Sequence, residues 1–274
     1  MRQRVCSVGV LTAKNGERKA WGGFCLTRLL SLTCMLTMCL AGQQGGATAH
    51  DARRQAEGDE TPAVAGPAAY EIWAGADATR KYASIWSGLS WAPLGGLQED
   101  GLRLRAVTGG GRYAYEGWRI VAGLPKPSHF RGMTVFADAM AGYHLQLGAL
   151  TLKPFAGIGM VEHWSTPVDP VSRINGRSIG AKVSLDTWWR INSTVWLNVD
   201  GAWSQVQETA SLRARLGYRL LEDFSVGIEA AALSDVSQEM RRAGLFLRYA
   251  WEKGEVSLGG GVSGVGRQQC FVCQ

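Results

Sequence analysis

The residues around His163 have the types that a nucleophilic hydrolase uses. His163 directly follows Glu162, and Ser165 lies two positions further on. A catalytic triad is recognised by its geometry, which an amino-acid sequence does not supply. An outer-membrane enzyme that processes lipid or peptide is therefore kept as an alternative function, and no residue is assigned a catalytic role.

The other candidate catalytic or metal-binding residues lack the sequence neighbours that such sites need. His129 lies in a proline-rich segment, and His144 lies near the end of a predicted strand. Cys270 and Cys273 have the gap of a metal or redox pair, but no second pair accompanies them. The glycine run 109–111 lacks the Lys and the helix of a phosphate loop, so we interpret it as a kink or bulge in a strand. The sequence predicts no metal site and no cofactor.

A larger set of charged residues occupies alternate positions along the chain. If the segments that carry them are strands of a closed barrel, these side chains share its inner face. Buried charges are costly unless they are paired, so we expect a network of ion pairs, with a mildly basic polar conduit as the alternative. The predicted inner residues are Glu71, Asp77, Asp138, Asp186, Asp200, Glu229, Arg103, Arg105, Lys153, Lys182, Arg213, Arg215, Arg219, Arg242 and Arg248.

Four aromatic residues fall on the same predicted inner face: Tyr82, Trp86, Trp188 and Trp196. Their flat apolar rings could stack against a ligand inside the barrel. For each ring taken singly, packing inside the protein is the stronger alternative.

The elements that position these residues follow from a period-two pattern. In 211–220, apolar residues at even positions alternate with Ser, Arg and Gly at odd positions, and no window has a convincing helical period. Apolar faces that end in Trp or Tyr suit the two interfaces of a membrane, whereas a soluble barrel or sandwich remains the alternative. These aromatic ends are Trp91, Tyr143, Trp189, Tyr218, Tyr249 and Trp251.

The predicted fold is therefore all-β: an antiparallel up-and-down β-barrel of outer-membrane type with about 12 strands, 11 of them recognisable, after a signal peptide. Long links are predicted at 114–131 and 163–175. The tail GRQQCFVCQ is a poor candidate for the twelfth strand. The eleven strands are predicted at 70–79, 82–92, 101–113, 132–146, 149–162, 176–190, 194–206, 209–220, 223–234, 239–251 and 255–263.

Charge and composition divide the chain. Residues 1–49 contain six Lys or Arg and one acid, with an apolar stretch and an Ala-Thr-Ala site, so they are predicted to be a signal peptide. Residues 50–69 are predicted to be a flexible linker, 70–265 the barrel and 266–274 an irregular tail. Without the leader the chain is nearly neutral, which removes the support for a nucleic-acid partner.

Four segments carry a family resemblance: GLRLRAVTGGGRY at 101–113, FADAMAGY at 136–143, GAK at 180–182 and ARLGYR at 214–219. They resemble the bacterial cellulose biosynthesis protein BcsS family over about 70–263. The resemblance implies a non-catalytic outer-membrane accessory of a cellulose synthase system. Its implied partners are outer-membrane lipid, cellulose synthase or export components, and a glucan chain. With a glucan as ligand, the four inner aromatic residues Tyr82, Trp86, Trp188 and Trp196 become predicted polysaccharide contacts. A general small-solute porin is a further alternative.

Overall fold

The computed structural model of this protein describes residues 3–9, 13–14, 69–79, 81–121, 124–169, 172, 174–236, 238–252 and 254–267. Nearly all of the predicted linker, the pair Cys270 and Cys273, and most of the predicted signal peptide lie outside the described residues. In the described part, strands dominate and one short 3-10 turn, Val206–Glu208, interrupts them. No helix in this part is long and apolar enough to cross a membrane.

The strands form one antiparallel sheet in which β3 to β13 pair with their neighbours in chain order. The sheet curls into a near-barrel, which confirms the predicted all-β antiparallel fold. The strands are β1 (Gln3–Gly9), β2 (Ala13–Lys14), β3 (Tyr70–Ala78), β4 (Tyr82–Trp91), β5 (Gly101–Val121), β6 (Leu124–Leu147), β7 (Leu150–Thr166), β8 (Gly176–Arg190), β9 (Val195–Ser204), β10 (Thr209–Arg219), β11 (Phe224–Ser234), β12 (Gln238–Trp251) and β13 (Gly254–Arg267).

The two edges of the near-barrel are bridged by β1. Its residues from Gln3 to Gly9 pair with β13, whereas only Cys6 to Val8 pair with β3. This strand belongs to the segment predicted to be removed on export. Cleavage at the predicted site would leave β3 and β13 as the edges of an eleven-stranded sheet.

The links define two ends of the near-barrel. Short links at 148–149, 191–194, 220–223 and 252–253 lie together, and we call this side the turn end. The longer link 167–175 lies at the opposite side, which we call the loop end. The link 92–100 between β4 and β5 is an exception, because it is long and lies at the turn end.

The protruding hairpin of β5 and β6 differs from the prediction. We expected a long loop over 114–131, but the two strands keep pairing as far as Val121 and Leu124. Pro125 and Pro127 are tolerated because β7 ends at Thr166, so this part of β6 is an edge strand that needs no donor on that side.

The glycine run 109–111 was also predicted wrongly as a kink or bulge. Register is continuous from Tyr82 to Trp91 between β4 and β5, and Gly109 pairs regularly with Phe136. The missing side chain serves another purpose, because a Cβ at Gly109 would overlap the Phe136 ring. Glycine here makes room for an aromatic residue.

The outer face is apolar and exposed. On β10, Leu212, Leu216 and Tyr218 lie outside, whereas Arg213 and Arg215 lie inside. Exposed aromatic rings lie on the outer face near both ends. Near the turn end they are Trp91, Tyr143, Trp189, Tyr218 and Tyr249, and near the loop end they are Trp164 and Trp203. The period-two pattern thus separates an apolar exterior from a charged interior.

Candidate functional site

Ion pairs join the strands across the interior of the near-barrel. Most of the charged residues predicted for the inner face take part, and Glu255 on β13 joins them although it was not among the predicted inner residues. Glu71, Lys153 and Arg219 lie on the same face. The pairs are Arg105–Asp186, Lys182–Asp138 at 2.6 Å, Arg213–Asp200 at 2.7 Å, Arg215–Glu229 at 2.5 Å, Arg242–Glu229 at 3.2 Å, Arg242–Asp77 at 3.1 Å and Arg248–Glu255.

The pair of Arg105 and Asp186 spans the interior between β5 and β8. Both side chains are almost fully buried, and the guanidinium donates to the carboxylate. The guanidinium carbon also lies 3.6 Å from the centre of the Phe155 ring and 5.5 Å from that of Trp73. A buried cation is thus matched by an anion and by two ring faces, which offsets its loss of hydration.

A second group forms around Glu229 on β11. Arg215 and Arg242 both pair with this carboxylate, and Arg242 continues to Asp77 on β3. Glu229 therefore links β10, β12 and β3. A network of this kind fixes the relative positions of strands that are distant in sequence.

At the turn end, the link between β4 and β5 is held against the interior. Arg103 donates to the carbonyl oxygens of Gly96 and Glu99. The Nδ1 of His144 lies 2.9 Å from the Glu99 carbonyl oxygen, and both His144 and Arg103 are fully buried. Arg103 and His144 therefore act here as anchors of a link that folds over the opening.

Inner aromatic rings lie flat on glycines of the neighbouring strand. Trp196 on β9 pairs with Gly217 on β10, and a Cβ at Gly217 would overlap the indole ring. The same arrangement explains much of the glycine content of the inner face, because only glycine leaves room for a ring against the backbone. The other pairs are Trp73 on Gly88, Phe136 on Gly109, Phe155 on Gly142, Tyr113 on Gly132 and Phe246 on Gly227.

These rings and ion pairs fill the interior over the turn end and the middle. The exposed fractions of Trp73, Phe246, Trp196 and Phe155 are 1%, 2%, 3% and 4%. Side chains this inaccessible to water leave no room for a polymer beside them. The inner face towards the turn end is therefore closely packed by these side chains.

The four predicted polysaccharide contacts all lie on the inner face but in different places. Trp188 and Trp196 stack on each other at the turn end, with ring centres 4.4 Å apart and Arg248 over both. Trp86 lies near the middle, between Gly75 and Gly109. Tyr82 lies at the loop end, opposite Tyr113. A single site made of all four is therefore not formed.

The candidate hydrolase residues are not brought together. Glu162 accepts hydrogen bonds from Arg177 at 2.7 and 3.0 Å on the outer face of β7. His163 points to the inner face, and the Ser165 hydroxyl accepts from the backbone N–H of Asp169 at 3.2 Å. The remaining candidate, His129, is exposed near Glu116.

At the loop end, an aromatic and polar cluster that sequence reasoning missed lines the inner face. Tyr113 and Tyr115 on β5 stack with ring centres 6.1 Å apart, and Tyr115 stacks on Phe130 at 5.1 Å. The Tyr115 hydroxyl donates to Asp169 at 2.7 Å, and the Tyr113 hydroxyl lies 3.3 Å from Nδ1 of His163. The available signal was the alternation of Tyr113 and Tyr115, which the predicted loop at 114–131 obscured.

Comparison with known proteins gives one family. The family model "Cellulose biosynthesis protein BcsS" matches residues 72–270. Among solved structures, a crystal structure of a Pseudomonas aeruginosa FadL homologue is similar, with a TM-score of 0.34 and 10% identity, covering 96% of this chain and 88% of that chain. The fold itself is defined by the strand pairing described above. The search of curated proteins gave no match.

Proposed function

The chain belongs to the cellulose biosynthesis protein BcsS family, and on that premise we propose that it is a non-catalytic accessory of cellulose assembly or export in the outer membrane. The family match over residues 72–270 carries this proposal. The partners that follow from it are outer-membrane lipid, and components of the synthase or export machinery or the glucan itself.

Residence in a membrane is supported by the outer face. A continuous exposed surface of Leu, Ile and Val side chains, bordered by Trp and Tyr at both ends, is unfavourable in water and favourable in lipid. We expect the protein to fractionate with the outer membrane and to migrate faster on gels when it is not boiled. Recovery from the periplasm without detergent would contradict membrane residence.

A role in delivery or arrangement suits the interior better than a role as an open pore. The ion pairs and buried rings that pack the inner face towards the turn end oppose free diffusion of solutes. The purified protein should therefore give no steady conductance in planar lipid bilayers. A stable open channel would favour the porin alternative.

The function is tested by deleting the gene. We expect less extracellular cellulose, or misarranged fibres, with unchanged synthase activity in isolated inner membranes. Unchanged dye binding and fibre morphology would refute the assignment to cellulose.

Complementation separates the enzyme alternative. A variant with Glu162→Gln should restore cellulose, because Glu162 pairs with Arg177 on the outer face, whereas His163 points to the inner face, so the two form no catalytic unit. Failure of this variant, with normal folding, would support catalysis.

A further inference from the structure

We propose that the inner face at the loop end binds sugar rings of a neutral glucan. The site, which we call the rim site, consists of Tyr113, Tyr115, His163 and Asp169, with Tyr82 beside Tyr113. The choice of a β-linked glucan as the ligand rests on the proposed function.

The first argument is that Tyr113 is built as a flat platform. Its ring covers Gly132 on β6, where a Cβ would overlap the ring carbons. One face of the ring therefore lies against the backbone, which leaves the opposite face directed towards the interior. Tyr115 continues the row at an interplanar angle of 21° and is itself supported by the fully buried Phe130.

The second argument is that polar groups border this row. Asp169 accepts the Tyr115 hydroxyl hydrogen, whereas His163 lies within 3.3 Å of the Tyr113 hydroxyl and 3.4 Å of the Thr134 hydroxyl. Hydroxyl, imidazole and carboxylate groups together supply both donors and acceptors. A sugar ring presents an apolar C–H face and a rim of hydroxyls, so a ring face bordered by such groups matches its chemistry.

The third argument is a contrast with the aromatic residues nearer the turn end. There, guanidinium groups cover the rings: Arg105 lies over Phe155, Arg215 over Phe246 and Arg248 over Trp196. Every cation–π contact found in the described residues involves this deeper group of rings. Tyr113 and Tyr115 keep partial exposure to solvent. The rings at the rim thus retain the accessible surface that a ligand needs.

Nearby charges favour a neutral ligand. On the inner face at the loop end, Arg242 pairs with Asp77, and the carboxylates of Asp169 and Asp235 lie near Tyr113. These groups create no positive field that would select an anionic polymer. Recognition would then depend on stacking and hydrogen bonds.

The test is calorimetric titration of the purified full-length protein in detergent micelles with cellohexaose. We expect saturable binding that weakens on the order of tenfold or more in Tyr113→Leu, because the platform is lost. Tyr115→Phe keeps the ring and removes only the hydroxyl that reaches Asp169, so it should weaken binding less. Trp164→Leu is the matched control, since it removes an exposed aromatic ring from the outer face at the same end.

Three outcomes would overturn the rim site. They are no binding of cellohexaose to the wild-type protein, equal binding by wild-type and Tyr113→Leu proteins that both show heat-modifiable migration, and loss of binding in Trp188→Ala but not in Tyr113→Leu. Equally tight binding of maltohexaose would overturn the preference for a β-linked glucan. The proposed function fails separately: normal cellulose in the deletion strain would refute it even if cellohexaose binds at the rim.

Discussion

An arginine introduced on the outer face of β10, which faces lipid if the proposed membrane residence holds, should destabilise the protein according to its depth. Ala214 and Ala210 both lie on the outer face, and Ala210 pairs with Trp203 of the aromatic border at the loop end. Ala214 lies midway between Ala210 and Tyr218, which belongs to the border at the turn end. An Arg costs about 2–4 kcal/mol at the membrane midplane and about 0–1 kcal/mol near an interface. We therefore expect Ala214→Arg to reduce the folding equilibrium constant roughly 30- to 700-fold.

Two further variants on the same strand serve as controls. Ala210→Arg makes the same substitution near the interface, so it should cost no more than about 1 kcal/mol. Ser211→Arg places the charge on the exposed inner face next to Ala210 and should be tolerated. Asn198, although also on the inner face, is a poor control because it is buried and donates to Asp200.

The measurement is urea unfolding of protein refolded into lipid vesicles, followed by migration of unboiled samples. The expected order of destabilisation is Ala214→Arg first, then Ala210→Arg, then Ser211→Arg. Equal midpoints for the two Ala variants would refute the membrane depth that we assign. A Ser211→Arg variant as unstable as Ala214→Arg would show that the assigned faces are wrong, because a slip by one residue exchanges every face.

Three more predictions follow from the interior and the leader. Gly217→Ala should destabilise the protein by about 1–3 kcal/mol because the new methyl group meets the indole that covers this glycine, whereas Gly264→Ala, with open space around it, should be neutral in the same urea titration. Asp186→Asn should cost about 3–5 kcal/mol because it leaves a buried guanidinium without its anion, and adding Arg105→Met should recover part of the loss; no recovery in the double variant would contradict the pairing. Residues 1–49 should be absent from the membrane-extracted protein, and an intact mass that begins at or near Met1 would rule out the predicted cleavage.

The alternation of apolar and polar residues predicted most strands, because it shows within a single segment which side chains face outwards and which face inwards. In β10, alternate placement of apolar and charged residues assigns Leu212 outwards and Arg213 inwards without knowledge of the partners. Over 114–131 the sequence pattern predicted a loop where the structure has a paired hairpin. Prolines and glycines are typical of loops, but at an edge strand they cost few hydrogen bonds, so local composition could not reveal the hairpin.

Partner choice was decided by the tertiary structure. Arg105 and Asp186 are 81 residues apart, and their contact depends on the curvature of the sheet across its interior. The sequence could place both on the inner face and predict that inner charges pair, but it could not say which cation meets which anion.

Register also decided which aromatic residues are accessible. By sequence alone, Trp196 and Tyr113 are both inner-facing rings. In the fold, Trp196 lies between Gly217 and Trp188 under Arg248, whereas Tyr113 lies on Gly132 near the loop end. Alternation along one strand determines the face of a side chain, because it is a local property of the backbone. Depth, stacking partner and exposure depend on how neighbouring strands align and on what crosses the interior, and those are properties of the whole sheet.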